Sequence, residues 1–178
     1  METQDLDRLL ASYFGPLKDS VEANKVEHKE IHGGDAFTYD DVVTGAAAFD
    51  YLLTVPNTTL WPNLGYDIES GGAGYTLELF EASDKTGTTG QTLVNRNRNS
   101  ATAATMTIHK GTSGGSTDGT RIMWRVSGTT TAGGKIGGSS KDGTERILKQ
   151  ATKYILRITP LASNTTSVRI NWYEHINA

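Results

Sequence analysis

Two stretches decide the fold of this chain: Glu145-Arg-Ile-Leu-Lys-Gln-Ala-Thr-Lys-Tyr-Ile-Leu-Arg-Ile-Thr159 and, after a short connection, Ser167-Val-Arg-Ile-Asn-Trp-Tyr-Glu-His175. Large apolar side chains alternate with other residues in both stretches, as period two requires of a β-strand with one buried face. The residues on the apolar side are Tyr154, Leu156, Ile158, Val168, Ile170 and Trp172. The connection contains Pro160 and Asn164-Thr-Thr, which are turn residues. The simplest prediction is an antiparallel hairpin at the centre of the core.

The composition limits the class of protein. A chain of 178 residues is expected to form one domain with a short appendage. Its net charge of −3 gives no basic face, so we expect no nucleic-acid partner. Cysteine is absent, which excludes disulfides and thiolate chemistry. The sequence has neither an apolar run of about 18 residues nor a signal-peptide pattern, so we predict a soluble product without a membrane partner.

The rest of the chain predicts an all-β domain. Twenty glycines separate short alternating segments, a pattern typical of sandwiches and barrels. With the terminal pair, these segments total about eight strands, the number of a jelly roll. We therefore predict a jelly-roll-like antiparallel β-sandwich with a short N-terminal α-helix, and loops over residues 83–90, 95–100 and 128–143. The further predicted strands are Phe37–Val43, Ala48–Val55, Gly65–Glu69, Tyr75–Glu81, Thr105–His109 and Arg121–Val126.

The N-terminal segment is the helical part of the prediction. Residues 1–30 are interpreted as a helical arm and linker, and residues 31–178 as the β-sandwich domain. A helix over Thr3–Leu17 would carry an apolar stripe at i, i+3, i+4 and i+7 spacing. The stripe consists of Leu6, Leu9, Leu10, Tyr13 and Leu17. A helix this short is marginal alone in water, so it must dock either on its own domain or a symmetry mate, or on a larger partner.

Two motifs suggest a metal or a nucleotide but fit neither well. His28 and His32 have the i, i+4 spacing of a helical metal site, yet no third ligand is evident. Residues 128–135 resemble a phosphate-binding loop, but the spacing is one residue too long and Ile136 replaces the magnesium-binding Ser/Thr. We expect neither a metal nor another cofactor.

The acidic residues do not predict an enzyme. The nearest approaches to a catalytic carboxylate pair are Asp40-Asp41 and Glu78 with Glu81. Glycosidases use two such groups across a cleft, whereas acids on strand faces are usually only solvated. We expect no catalytic residue.

Exposed aromatic residues are the alternative source of a binding site. Trp61, Trp124 and Trp172 could in principle stack on sugars, but Trp172 lies on the predicted core face. Trp61 precedes Pro62 in a loop-like context, which makes it a possible surface contact.

The chain also resembles a known family. Ile31–Phe37, Asn95–Ser100, Ile147–Thr159 and the closing Asn171-Trp-Tyr-Glu-His175 are similar to a family of tailed-bacteriophage virion proteins, some of them head decoration (cement) proteins. The resemblance implies a non-enzymatic β-sandwich subunit, made in the host bacterial cytoplasm and assembled on the capsid exterior of the virion. Its implied partners are the major capsid protein and two further copies of itself.

Two expectations join the resemblance to the residues. The apolar stripe of the arm is expected to contact the capsid or a neighbouring subunit. The alternative function is a carbohydrate- or receptor-binding module of the phage tail, for which Trp61 and the long glycine-rich loops are the motivating features.

Overall fold

The computed structural model describes residues 28–128, 135–139 and 145–176. One short helix, α1 (28–33), precedes the strands. The strands are β1 Ala36–Gly45, β2 Phe49–Val55, β3 Leu60–Gly71, β4 Tyr75–Glu81, β5 Thr86–Gly90, β6 Val94–Asn95, β7 Thr107–Ser113, β8 Thr120–Ser127, β9 Lys135–Ser139, β10 Arg146–Ile147, β11 Thr152–Pro160 and β12 Asn164–Ile176.

The strands form two antiparallel sheets packed face to face, which confirms the predicted all-β sandwich. Sheet A has the order β10-β3-β12-β1-β6, and β9 also pairs with β3. Sheet B has the order β5-β7-β2-β11-β4-β8. The helix predicted over Thr3–Leu17 lies outside the described residues, and α1 falls where the sequence allowed either a linker or more helix. In the described part of the chain, no helix is long and apolar enough to cross a membrane.

The predicted hairpin between the two terminal strands is wrong. β11 pairs with β2 and β4 in sheet B, whereas β12 pairs with β1 and β3 in sheet A. The connection between them therefore crosses from one sheet to the other. A crossing lets the apolar faces of both strands meet across the core, whereas a hairpin would place them side by side in one sheet.

The crossing is repeated by two neighbouring connections. The chain also changes sheets between β1 and β2 and between β3 and β4, so that three corners stack side by side. Eight of the strands form a four-stranded core in each sheet, with the order β1-β12-β3-β9 in sheet A and β2-β11-β4-β8 in sheet B. This is the strand order of a jelly roll. The short strands β5, β6, β7 and β10 extend the two sheets beyond that framework.

The core lies between the sheets and is built from the predicted faces. All six apolar residues predicted from the terminal strands are buried. Trp172 stacks on Phe37 with ring centroids 5.6 Å apart, and the side chains of Tyr51 and Leu79 are fully buried on the opposing sheet. The alternation read from the sequence therefore identified the inner faces of both strands correctly.

Three segments predicted as loops contain strands. β5 lies within 83–90 and pairs with β7, β6 reaches into the segment 95–100, and β9 lies within 128–143 and pairs with β3. These strands contain few large apolar residues, so hydrophobic alternation did not reveal them. Trp61, predicted in a loop, lies near the beginning of β3.

The central strand offers a direct test of this packing. Ile170 is fully buried in β12, while Ser167 on the same strand is exposed. We expect Ile170→Ala to lower the free energy of unfolding by about 2–5 kcal/mol because it leaves a cavity between the sheets. Ser167→Ala should change it by less than about 0.5 kcal/mol. Urea denaturation followed by tryptophan fluorescence measures both, and equal effects would contradict the assigned faces.

Candidate interaction surfaces

The predicted contact residues fall in different regions. Leu6, Leu9, Leu10, Tyr13 and Leu17 lie outside the described residues. Trp61 is partly buried and pairs with His175 of β12. The structure therefore places Trp61 on a strand beside a histidine, where part of its ring remains accessible.

The adjacent acids Asp40 and Asp41 point to opposite faces of β1. Asp40 accepts a hydrogen bond from Arg169 Nε at 2.6 Å on the outer face of sheet A. Asp41 accepts one from the Tyr51 hydroxyl at 2.7 Å and pairs with Lys110 at 2.6 Å. Burial acts to raise the pKa of Asp41, but these hydrogen bonds outweigh burial and lower the pKa below its ordinary value. The two carboxylates are therefore in separate ion pairs.

The second acid pair is separated in the same way. Glu78 pairs with Arg121 at 2.7 Å. Glu81 accepts hydrogen bonds from Lys149 and from the Tyr154 hydroxyl, and the Lys149 ammonium is the main reason that the pKa of Glu81 is lowered. Both acids are engaged in holding neighbouring segments of the sandwich together.

The two histidines of the possible metal site lie on α1. Their rings meet edge to face, with centroids 4.4 Å apart. Among residues 28–128, 135–139 and 145–176, no group of three or more His, Cys, Asp or Glu side chains is placed to hold a metal ion.

Glu174 is a buried carboxylate that the sequence reasoning did not single out. It is 2% exposed and points into the sandwich from β12. Its oxygens accept hydrogen bonds from the backbone N–H groups of Thr105 and Met106 at 2.9–3.0 Å and from Trp172 Nε1 at 3.0 Å. A carboxylate with these three donors is an anchor for the segment before β7 rather than a free acid.

Asparagines fix the segment that precedes this anchor. Asn95 Nδ2 donates to the Gly34 carbonyl at 2.7 Å, and Asn97 Nδ2 donates to the His32 carbonyl at 3.1 Å. Gly34 has φ +85° and lies under Ser100, so a side chain there would collide with Ser100. These contacts join the segment 95–100 to the end of α1, and the short-range hydrogen bonding of asparagine explains its repetition.

The outer face of sheet A carries an acidic groove. We give this name to a concavity of about 400 Å³ across β1, β12 and β3, lined by Asp40, Asp41, Val42, Asp67, Glu69, Ser167, Val168 and Arg169. Three of these carboxylates, Asp40, Asp67 and Glu69, act on the Arg169 guanidinium and raise its pKa, Asp40 most strongly. At the margin, Val42 is 62% exposed. The groove therefore combines negative charge with an accessible apolar side chain.

The outer face of sheet B is covered at its centre, where outward-pointing residues of β2 and β11 are buried. Arg157 binds Asp50 through two hydrogen bonds of 2.7 and 2.9 Å and Asp118 through one of 2.8 Å, while its guanidinium lies over the Phe80 ring. Asp50, followed by Asp118, raises the pKa of Arg157. Ile155 is fully buried beside this network although it points away from the core.

A further aspartate, Asp84, joins two loops next to that network. Asp84 accepts hydrogen bonds from the Ser116 and Thr117 N–H groups at 2.8–3.0 Å and from the Ser116 hydroxyl at 2.8 Å. These donors, the Ser116 N–H first, lower the pKa of Asp84 to about 2. Asp84 thus joins the segment after β4 to the segment before β8.

Among the described residues, the exposed large apolar side chains of sheet B all lie on its edge strand β8. Ile122, Trp124 and Val126 are 36%, 58% and 49% exposed, and we call these three residues the β8 strip. β8 pairs with β4 along one side. Met123, between the first two strip residues, is buried instead. Trp61 was the predicted surface contact because of its loop-like context beside Pro62, but Trp124 is the more exposed of the two side chains.

The fold and these surfaces define the class of protein as a jelly-roll β-sandwich with one open sheet face and one apolar edge strand. Comparison of the chain with protein-family models and with curated proteins finds no match.

Replacing Glu174 tests its role as an anchor. Glu174→Ala leaves three buried N–H donors without their acceptor, and we expect the free energy of unfolding to fall by about 1–3 kcal/mol or more. Amide exchange at Thr105 and Met106 should accelerate relative to amides of β12. Glu69→Ala, which removes an exposed carboxylate, is the matched control; unchanged exchange at Thr105 in Glu174→Ala would contradict the anchor.

The low pKa of Asp84 predicts that the free energy of unfolding decreases in acid. Its folded-state pKa of about 2 lies below the value of about 3.9 expected for an unfolded aspartate. The resulting stabilisation is complete above the unfolded value and is lost as the pH falls from about 4 through about 2. Denaturant unfolding over this range should show a steeper loss of stability for the natural sequence than for Asp84→Asn. Parallel pH profiles would refute this role of Asp84.

Proposed function

We propose that this protein is a non-enzymatic bacteriophage virion protein that decorates the outside of the capsid and stabilises the head. The observation that carries the proposal is a jelly roll with two accessible surfaces, the acidic groove and the β8 strip. Jelly rolls serve in viral capsids as well as in lectins. The resemblance of the closing Trp172-Tyr-Glu-His175 segment to phage virion proteins supports the first use.

Open surfaces suit a particle component because attachment there is multivalent. Many identical subunits can each contribute weak contacts that sum to firm binding. The ion pairs of Glu78, Glu81 and Asp41 also favour this function, since they occupy these acids with structural roles. The proposed partners are the major capsid protein and other copies of the chain.

The proposed attachment also uses the arm before Ile31. Its apolar stripe would contact the capsid or a neighbouring subunit. Each leucine buried in that contact would contribute about 1.5–3 kcal/mol of favourable binding free energy. The arm joins the sandwich at a defined point, because Asp35 N–H donates to the Glu30 carbonyl at 2.9 Å and Asn97 holds the His32 carbonyl. A docked stripe would therefore tether the sandwich to the capsid through α1.

The second candidate function is a carbohydrate- or receptor-binding module of the tail. The observation that favours it is the exposure of Trp124, with Trp61 partly accessible on the other sheet. Aromatic faces of this kind can stack on sugar rings.

Copy number distinguishes the two functions. We expect purified virions to contain this protein at the copy number of the major capsid protein or a simple fraction of it, as measured by quantitative mass spectrometry and by imaging of heads. A few copies on the tail, with glycan binding abolished by Trp124→Ala or Trp61→Ala, would favour the second function. Absence from the particles would exclude both.

Deletion of the arm tests the mode of attachment. We expect a chain lacking residues 1–30 to retain the β-sheet signal in circular dichroism, since all described strands and the core residues lie after residue 35. We also expect it to lose binding to particles that lack the protein. The control is the full chain carrying Leu6→Ala and Leu10→Ala, which keeps the length but weakens the stripe. Full binding by the truncated chain would move attachment to the β-sandwich, and unfolding would place the arm in the core.

A further inference from the structure

Trp124 presents its indole ring to solvent on the outer face of sheet B. It is 58% exposed, whereas every other phenylalanine, tyrosine and tryptophan in the described part of the chain is buried or only partly exposed. Val126 lies two residues further along β8, on the same face, and extends the apolar surface. Together the two side chains form a small flat area on which another apolar surface could stack.

A carboxylate and a guanidinium lie beside the ring on the same face. Glu78 of β4 is the direct cross-strand neighbour of Trp124, and its Oε1 accepts a hydrogen bond from Arg121 Nη1 at 2.7 Å. The other oxygen of Glu78 accepts no hydrogen bond within the described part of the chain. The Arg121 side chain is 54% exposed, and its guanidinium has further N–H groups. The ion pair therefore presents an acceptor and several donors next to the indole.

The neighbouring strand holds this ion pair in position. Arg157 of β11 is the cross-strand neighbour of Glu78 on the side away from Trp124. Its guanidinium is itself bound by Asp50 and Asp118. The Glu78 side chain is only 17% exposed between its two neighbours. Groups that are ordered before a ligand arrives lose little conformational entropy when it binds.

The chemistry of these groups fits a neutral sugar ring. One face of a pyranose is formed by C–H groups and is apolar, so it can stack on an indole. The hydroxyls at the rim of the ring both donate and accept hydrogen bonds, and they would meet the Glu78 carboxylate and the Arg121 guanidinium. Because these two charges already neutralise each other, the surface does not select a charged ligand.

The size of the surface favours a small ligand over a second copy of the chain. A stable protein interface buries about 800 Å² on each partner and involves roughly 20–30 residues a side. The β8 strip provides three partly exposed side chains, and towards the centre of the sheet Leu52 and Ile155 are already covered. The strip alone is therefore too small for a stable protein contact, but it matches the dimensions of a sugar ring.

We propose that Trp124, Glu78 and Arg121 bind a neutral pyranose at the end of a glycan. The sugar ring stacks on Trp124, one hydroxyl donates to Glu78, and a neighbouring hydroxyl accepts from Arg121. This site goes beyond the decoration role and does not depend on whether the subunit lies on the head or on the tail. The acidic groove and the arm remain for attachment to the capsid. A single open site binds weakly, but many copies on one particle would bind a glycan-covered surface firmly.

Binding of simple sugars to the full chain tests the apolar half of the site. The probes are the methyl pyranosides of glucose, galactose, mannose and N-acetylglucosamine, and binding is followed by saturation-transfer-difference NMR. We expect at least one of them to bind and to receive saturation mainly at its ring C–H protons. Trp124→Ala should weaken that binding at least about tenfold, because the indole is the stacking surface. Ile176→Ser, which changes a 67% exposed apolar residue of sheet A, should leave the affinity unchanged.

Substitution of the ion pair tests the polar half. Glu78→Gln and Arg121→Gln keep the approximate shape of each side chain but remove its charge. Each should weaken binding by about 3–10-fold, the effect of losing a hydrogen bond to the ligand. Glu81→Gln is the matched control, because it removes the charge of another ion-paired glutamate of the same strand, and it should leave the affinity unchanged.

Several results would overturn the site. They are the absence of saturation transfer to all four pyranosides at millimolar concentrations, full binding by Trp124→Ala, and loss of binding in Trp61→Ala instead. If no sugar binds and Trp124→Ala converts an oligomer of the natural chain into a monomer in analytical ultracentrifugation, a second copy covers the ring. Circular dichroism verifies folding, and the ion-pair variants decide the question if Trp124→Ala unfolds. Virion copy number is measured separately, so a failure to bind sugars leaves the decoration role to its own test.

Discussion

The sandwich depends on the corner where the chain crosses from β11 to β12. Asn164 is almost completely buried there; its Nδ2 donates to the Ala73 carbonyl at 2.8 Å and its Oδ1 accepts from the Thr166 hydroxyl at 3.0 Å. Leu161 N–H donates to the Gly74 carbonyl at 2.8 Å. These bonds join the central corner to the neighbouring corner between β3 and β4. Since buried polar groups are costly without partners, the network tolerates little displacement of either corner.

This corner also determines which surfaces are exposed. Because β12 lies at the centre of sheet A, its outward residues form the floor of the acidic groove, between β1 and β3. Because β11 lies at the centre of sheet B, Arg157 lies between Asp50 and Asp118. Its hydrogen bond to Asp118 holds the loop before β8 over the outer face of that sheet. The same crossing therefore gives one open face and one closed face, with β8 left exposed at the edge.

The sequence predicted the buried faces better than the connections between strands. The alternation of Val168, Ile170 and Trp172 identifies the buried face of the strand, because that face must be apolar whichever sheet contains the strand. The turn residues after Pro160 carry no comparable information, since a short connection can form either a hairpin or a crossing. Asn164 and Thr166 do distinguish the two, but only through partners near Ala73 that are distant in the sequence.

The candidate surfaces could not be predicted because hydrophobic alternation identifies an apolar face without saying what covers it. In β8, Ile122, Trp124 and Val126 form the more apolar face, yet Met123 on the opposite side is the residue that enters the core. A β-bulge between Leu79 and Phe80 shifts the register there and leaves Ile122 outside the regular pairing. An apolar face that the domain itself does not bury remains a cost in water until another surface covers it. The exposed apolar side chains of β8 therefore result from a mismatch between the residue pattern of the strand and its position at the edge of the sandwich.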